Sequence, residues 1–353
     1  MFNTLTVSNI ERLTPDSVCL SLAVPSELKD KYSFLPGQYL TLEQEINGEL
    51  IRRSYSICSA PNSEKLQVGI KKIEQGKFSS YANDILKAGE TLQVMPPQGN
   101  FIHKVNTDKK KKYVAICAGS GITPILSIIR TVLSAEPQSS FSLFYGNKKT
   151  DTIMFREELN ELKDVHLGRF SLYNILSKES QTSPILNGRI NDEKLDIYSK
   201  IFFDINAVET FFLCGPYQLI MSTKAYLENQ GVDKDRIKFE LFSTEGIERK
   251  EVAPKEEKDM FLAEVKVKLD GTEFIFDSES DINILDEAIR NGADLPYSCK
   301  GGVCSTCRAK LIEGDVEMEL QYALSEEEIE QGFILTCQAI PKTNKVFIDF
   351  DAD

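Results

Sequence analysis

The chain has 353 residues, 41% of them hydrophobic, and a formal net charge of −13. That length exceeds one ordinary domain and suits two or three. The charge is uneven, with −12 on residues 261–353 and −1 on the first 260. This argues against a nucleic-acid partner and offers the C-terminal part as a docking surface for a basic partner.

No apolar stretch reaches the roughly 18 residues of a membrane span. The best candidate, GITPILSIIRTVLSA, carries Arg130. The opening MFNTLTVSNIERL has no basic start and no apolar core, so no secretory leader is expected and the cytoplasm is the default compartment.

In chain order, residues 1–106 read as short alternating strands (SVCLSLAV, QYLTLEQEI, RRSYSICS, LQVGIKKI, TLQVMP) broken by turn signals and by one helical stretch, SSYANDILKAGE. That pattern predicts a small antiparallel barrel. TDKKKK, residues 107–112, is a plausible hinge. Strands and helices then alternate to residue 243, from YVAICA with PILSIIRTVLSA through TFFLCG with YQLIMSTKAYLENQG to IKFELF. Alternation of this kind predicts a parallel sheet with helices on both faces. The charged, aperiodic residues 244–259 read as a linker. Residues 260–353 open with a hairpin turned by Asp270-Gly271, FLAEVKVKL-DG-TEFIFD, followed by the helix NILDEAIRNG.

Four of the eight cysteines, Cys19, Cys58, Cys117 and Cys214, are scattered, and four are clustered as Cys299-x4-Cys304-x2-Cys307-x29-Cys337. In a chain expected in the cytoplasm, clustered cysteines point to metal or redox chemistry rather than to disulfides. A zinc site would show two short Cys or His pairs, whereas here the last ligand is distant and alone. The spacing is the plant-type [2Fe–2S] pattern. Glycines and small residues between the ligands let backbone N–H groups turn towards sulfur. The stretch resembles plant-type ferredoxins, which implies a β-grasp α+β fold for residues 260–353.

A one-electron centre needs a source of electrons. In RRSYSICSAP, Arg53 and Tyr55 share one strand face, a cation for a phosphate and a ring for stacking, with Ser54 and Ser56 between and beyond them. This R-x-Y-S resembles the flavin motif of the ferredoxin–NADP⁺ reductase family, and further pieces follow in the family's order. Gly69-Ile70-Lys71 resembles the strand along the flavin. Gly76-Lys77-Phe78-Ser79-Ser80 opens a helix whose first N–H groups suit a pyrophosphate, and PPQGNF closes the barrel. The resemblance implies FAD, with Arg53 on the pyrophosphate, Tyr55 on the isoalloxazine and Ser56 near its N5.

Gly119, Ser120, Gly121 and Thr123 lie in AICAGSGITPILSII, a strand-to-helix turn that suits an anion. The turn matches the family's A-G-x-G-I-x-P rather than G-x-G-x-x-G. Cys214-Gly215-Pro216 resembles the family's second such turn, and by that match Cys214 lies beside the reacting nicotinamide carbon. Ser177 and Lys178 resemble the pair that holds the 2′-phosphate of NADP, with lysine in place of arginine, and Arg189 adds a cation. NADPH is therefore expected, with NADH possible. Glu240 and Phe242 are proposed as the carboxylate and ring that the family brings to the flavin from the end of its nucleotide domain.

The order of parts resembles the reductase subunits of bacterial oxygenase systems. It implies electron flow from NADPH through FAD and the cluster to a redox partner protein, foremost a di-iron oxygenase or epoxidase complex. A fatty-acyl desaturase, a steroid hydroxylase, a Rieske oxygenase and a hybrid-cluster protein remain as alternative acceptors. A scaffold protein with vestigial redox sites is the rival outside the enzymes, and intact ligand cysteines and an intact R-x-Y-S speak against it.

Overall fold

The computed structural model describes residues 2–107, 110–242, 262–279 and 281–352. The chain divides into two compact units, Met1–Phe242 and Ser243–Asp353. The expected linker at 244–259 and part of the expected hinge lie outside the described residues.

The first unit begins with six strands: β1 (Asn3–Thr14), β2 (Ser17–Ala23), β3 (Tyr39–Ile46), β4 (Glu49–Ser56), β5 (Leu66–Lys71) and β6 (Thr91–Val94). Every neighbouring pair in the order β4-β3-β6-β1-β2-β5 is antiparallel, and a bridge from Ile57 to Val68 joins the two ends. Alternation fills the interior with Leu5, Val7, Leu20, Leu40, Leu42, Val68 and Ile70, all buried. The helix of this barrel, α1 (Lys77–Asp84), starts two residues earlier and stops six earlier than the pattern predicts. The Lys87–Glu90 turn ends it, with Lys87 N donating to Glu90 Oε2.

Five parallel strands follow: β7 (Lys112–Ala118), β8 (Ser140–Asn147), β9 (Phe170–Leu176), β10 (Thr210–Gly215) and β11 (Ile237–Leu241). Their order is β11-β10-β7-β8-β9. Helices α2 (Ile122–Ala135), α3 (Arg156–Val165), α4 (Asp192–Ile201) and α5 (Tyr217–Asn229) connect them. The chain runs outward from β7 through β8 to β9, then returns to place β10 on the other side of β7. The sheet therefore has its switch point between β7 and β10, the place where such sheets hold ligands beyond the carboxyl ends of the strands.

Barrel and sheet share one buried cluster in which Cys19, Cys58 and Phe101 pack with Cys117, Phe212 and Cys214. Polar ties reinforce it. Ser127 Oγ on α2 donates to Ser59 O at 2.6 Å, and Lys238 Nζ donates to Ile102 O at 2.7 Å. At the end of α2, the buried Glu136 carboxylate accepts from Tyr113 Oη and Ser139 Oγ, each at 2.9 Å, and from Asn106 N at 3.0 Å. It also lies 2.8 Å from His103 Nε2. Burial pushes Glu136 up, but these hydrogen bonds outweigh it and hold the carboxyl below its ordinary value. Burial holds His103 down despite Glu136, so the contact is a hydrogen bond to a neutral imidazole rather than an ion pair. The segment leaving the barrel is thereby fastened to the helix that carries the glycine turn.

The second unit has a mixed sheet of β12 (Leu262–Leu269), β13 (Thr272–Glu279), β14 (Arg308–Glu313), β16 (Phe333–Leu335) and β18 (Lys345–Asp349), and a small pair, β15 (Val316–Met318) with β17 (Ala339–Pro341). The order is β13-β12-β18-β14-β16, with β12 and β18 parallel at its centre. Helix α6 (Ile284–Arg290) buries Ile284, Leu285 and Ala288 against the sheet, and the short α7 (Glu326–Glu330) precedes β16. Asp270 adopts φ 50° and Gly271 φ 73°, the left-handed pair that a two-residue Asp-Gly hairpin turn requires.

Candidate functional site

The site grows from the carboxyl ends of β7, β10 and β11. Register places Cys117, Cys214 and Glu240 side by side across these three strands. Gly119–Gly121 forms a single helical turn before α2, and a Cβ on Gly121 would collide with the Cys214 carbonyl and stand 2.9 Å from Gly215 N. The two strand-to-helix turns meet there, and only glycine permits the approach. Gly215 takes φ 152°, and Pro216 caps α5. Thr123 Oγ1 donates to Ser120 O at 3.0 Å, and Tyr145 Oη, fully buried, donates to Gly119 O at 2.9 Å. Sequence reasoning gave Tyr145 no role.

The barrel supplies the other wall. Arg53 is exposed and donates from Nη1 to the Arg52 carbonyl at 2.7 Å. It is close enough to Tyr55 to oppose the upward push that burial gives the Tyr55 phenol. Cation and ring thus share a face, as the period of two predicts. Ser54 turns the other way, to Thr41 Oγ1 at 3.1 Å. Phe78 is 1% exposed and packs beneath Tyr55 with ring centroids 5.5 Å apart, so it supports the stacking ring from the core.

Gly76 caps α1, and Ser80 N donates to Gly76 O, leaving the first turn's N–H groups without i−4 partners. Ser79 uses its hydroxyl within that turn, accepting from Ile73 N at 3.2 Å and donating to Gly76 O at 3.2 Å. Lys77 pairs with Glu49 and Lys71 with Asp16, the latter at 3.5 Å. Ile70 points into the barrel core. A Cβ on Gly69 would stand 2.7 Å from Thr123 Cγ2, so the strand and the glycine turn touch.

Where the two walls meet, buried Ser56 donates from Oγ to Glu240 Oε2 at 3.3 Å. Part of Glu240 remains open, but its carboxyl is enclosed, and burial pushes it up to about 8 against the pull of Ser56. Cys214 is fully buried, and burial, then Glu240, then Cys117 push its thiol well up. Phe242, two residues on, is 40% exposed.

Ser177 and Lys178 lie at the end of β9. Their N–H groups bind Asn147 O and Lys148 O at 2.9 and 2.8 Å, which brings Lys148 beside Lys178. Arg189 is exposed in the next turn.

In the second unit the four thiols form two pairs. Cys299 interacts with Cys304 and Cys307 with Cys337, with Cys299 also near Cys337 and Cys304 near Cys307. Cys304 and the N–H groups of Gly301, Val303 and Cys304 draw the Cys299 thiol down to about 6, and Cys307 draws Cys337 down. Gly301 N lies 3.3 Å from Cys299 Sγ. Gly302 has φ 71°, and a Cβ there would stand 2.8 Å from Leu320 O. Among the described residues no three His, Cys, Asp or Glu side chains close on one ion. Two pairs of thiols with inward N–H groups instead suit two irons bridged by sulfide.

These features define a flavin and nucleotide reductase joined to an iron–sulfur domain. The chain belongs to the ferredoxin–NADP⁺ reductase-type flavoproteins with a [2Fe–2S] ferredoxin domain, and is an NAD(P)H oxidoreductase using FAD and a [2Fe–2S] cluster. Its residues 4–103 match the oxidoreductase FAD-binding domain, 115–225 the oxidoreductase NAD-binding domain and 267–342 the 2Fe-2S iron-sulfur cluster binding domain.

It is 41% identical to a component of 1,2-phenylacetyl-CoA epoxidase from Escherichia coli (strain K12), over 99% of this chain and 98% of that one. It is 32% identical to the ferredoxin reductase component of 3-ketosteroid-9-alpha-monooxygenase from Rhodococcus rhodochrous, over 98% and 96%. The structure of phthalate dioxygenase reductase shares the fold, with TM-score 0.59, 21% identity and coverage of 99% and 98%. No helix among the described residues is long and apolar enough to cross a membrane.

Proposed function

We propose that this chain is the reductase component of a phenylacetyl-CoA epoxidase, passing electrons from NADPH to a di-iron oxygenase partner in the cytoplasm, a compartment that suits thiolate ligands. The observation that carries the partner is the 41% identity, over nearly the whole of both chains, to the epoxidase component. The 32% identity to a ketosteroid monooxygenase component favours a steroid hydroxylase as the second reading. We divide the work as flavin binding by 1–106, nucleotide binding by 107–243, a linker at 244–259 and cluster binding by 260–353.

When bound, FAD takes two electrons from the nicotinamide together and releases them singly to the cluster. The chain's residues position and exclude. Arg53 and the first turn of α1 hold the pyrophosphate, and Tyr55, backed by Phe78, stacks on the ring. The glycine turn and Gly215-Pro216 hold the dinucleotide at the switch point, and Lys178 with Arg189 faces its 2′-phosphate. Glu240, protonated at neutral pH, keeps negative charge away from the edge that would take the hydride and accepts from Ser56, orienting that hydroxyl. Cys214 packs behind that edge and keeps water out. Cys299 with Cys304 holds one iron, and Cys307 with Cys337 the other.

The test is reconstituted turnover. The purified chain, supplied with NADPH, should sustain phenylacetyl-CoA epoxidation by the epoxidase's oxygenase components, and should not sustain ketosteroid hydroxylation by the steroid oxygenase. The reverse pattern would transfer the assignment to the second reading.

A further inference from the structure

Cys299, Cys304 and Cys307 sit in one loop whose backbone folds around them, but Cys337 comes from a separate segment, before β17. Thr336 ties that segment to Cys307 O through its N–H at 3.1 Å and its Oγ1 at 3.2 Å, and the side chain of Gln338 ties it to the other end of the loop. Its Nε2 lies 2.9 Å from Cys337 O, 3.3 Å from Lys300 O and 3.5 Å from Cys337 Sγ. Two N–H groups serve these three acceptors, so one is shared. The residue is 7% exposed, and its Cγ would be 3.1 Å from a Cβ on Gly302, so it roofs the left-handed turn of the loop.

The loop residue it grips is itself fixed. Lys300 has φ 51°, a left-handed backbone that a non-glycine residue seldom adopts. Its Nζ reaches Asp286 Oδ1 on α6 at 2.7 Å and lies 4.8 Å from the centre of the Tyr297 ring. One carboxamide therefore contacts both ligand-bearing segments at a point anchored to α6.

A hydrogen bond to a ligand sulfur favours the more negative, reduced state of an iron–sulfur centre and raises its potential. The reduction adds one electron to the centre, and no bond in the protein forms or breaks. We propose that Gln338 is a positioning residue of the [2Fe–2S] centre: its carboxamide holds Cys337 against the Lys300 carbonyl and, by donating to Cys337 Sγ, makes the cluster easier to reduce. This rests on the assignment of the four cysteines as cluster ligands and adds a residue outside the C-x4-C-x2-C…C pattern.

The test is an anaerobic redox titration of the full chain, loaded with FAD and cluster and followed by electron paramagnetic resonance, comparing wild type with Gln338→Leu. Leucine keeps the volume and removes the donor. The cluster's reduction equilibrium should move about tenfold towards the oxidised form, 59 mV for one electron, while the flavin potential stays put. Equal cluster potentials at equal iron and sulfide content would overturn the proposal, because a purely structural role lowers content without moving potential. If Gln338→Leu does not load, the wild-type chain labelled with ¹⁵N in glutamine side chains decides. A ¹⁵N hyperfine coupling to the reduced cluster supports the donor, and its absence overturns it. A wild-type chain that holds no iron and sulfide would overturn the cluster assignment as well, and the metal assay tells the two failures apart.

Discussion

Ser56 Oγ donates to Glu240 Oε2 across 3.3 Å, joining the last residue of a barrel strand to the final strand of the parallel sheet. The bond sits where the two ligand-bearing walls meet, and the carboxyl it touches is pushed up to about 8. At neutral pH Glu240 therefore keeps its proton, and it loses it as pH rises through about 8. Stopped-flow reduction of the bound flavin by NADPH should slow through that range, since a carboxylate beside the reacting edge opposes the negative charge that the hydride brings. In Glu240→Gln, which stays neutral, the dependence should vanish, and above about pH 8 the variant should be the faster of the two. A pH profile unchanged in the variant would show that Glu240 does not set the charge at that edge.

The same shift acts on stability. Unfolded, Glu240 releases its proton near its ordinary value of 4.5, and folded it holds it to about 8. Its contribution therefore falls as pH rises between those values and is level above them. Thermal melts of Glu240→Gln should gain on wild type as pH moves from 5 to 8, and a constant difference would contradict the assignment.

Glu136 and His103 predict the opposite, an acid sensitivity. Both are held below their ordinary values in the fold. Below about 6.5 the unfolded chain takes a proton on His103 that the folded chain refuses. Below about 4.5 the unfolded chain does the same on Glu136, so stability is lost in two steps as pH falls. Glu136→Ala leaves the Tyr113, Ser139 and Asn106 donors buried without their acceptor and should cost about 3–5 kcal/mol. Urea denaturation followed by flavin fluorescence measures this. A loss under about 1 kcal/mol would mean the network does not fasten barrel to sheet.

Lys178 is exposed at the end of β9, with Lys148 brought beside it by the backbone. Lysine acts on a phosphate as a point charge rather than a fork. Lys178→Ala should lower kcat/KM for NADPH about tenfold and leave NADH within about twofold. Equal losses with both nucleotides would place Lys178 outside the 2′-phosphate site.

Chemistry that depends on local spacing was legible in the sequence. Arg53 and Tyr55 share a face because a strand has period two, and three of the proposed cluster ligands fall in nine residues of one loop. The alternation of strands and helices gave the parallel sheet, but not that β10 returns beside β7, because strand order depends on packing between distant segments. Contacts across such distances were hidden for the same reason. Nothing in the local sequence singled out Glu136 or Tyr145, although one binds the barrel's exit and the other the glycine turn. Phe78 and Ser79 sit in a motif that read as ligand-binding, yet the ring packs under Tyr55 and the hydroxyl closes its own turn. Gln338 had no signal beyond its place next to Cys337.

Gly302 gives the most direct test of how the cluster loop is built. Its φ of 71° lies in the left-handed region, and a Cβ would stand 2.8 Å from Leu320 O and 3.0 Å from Leu320 Cβ. Backbone cannot yield there without displacing the N–H that Gly302 turns towards Cys337. Gly302→Ala should therefore lower iron and sulfide per chain several-fold, while FAD content and NADPH-driven flavin reduction stay within about twofold of wild type, since those sites are built from the first unit alone. Gly301→Ala, at a neighbouring glycine outside the left-handed region, should be milder. Equal loading of the wild-type and Gly302→Ala chains would show that the loop accommodates a side chain, and that close packing over the turn does not hold the ligands in place.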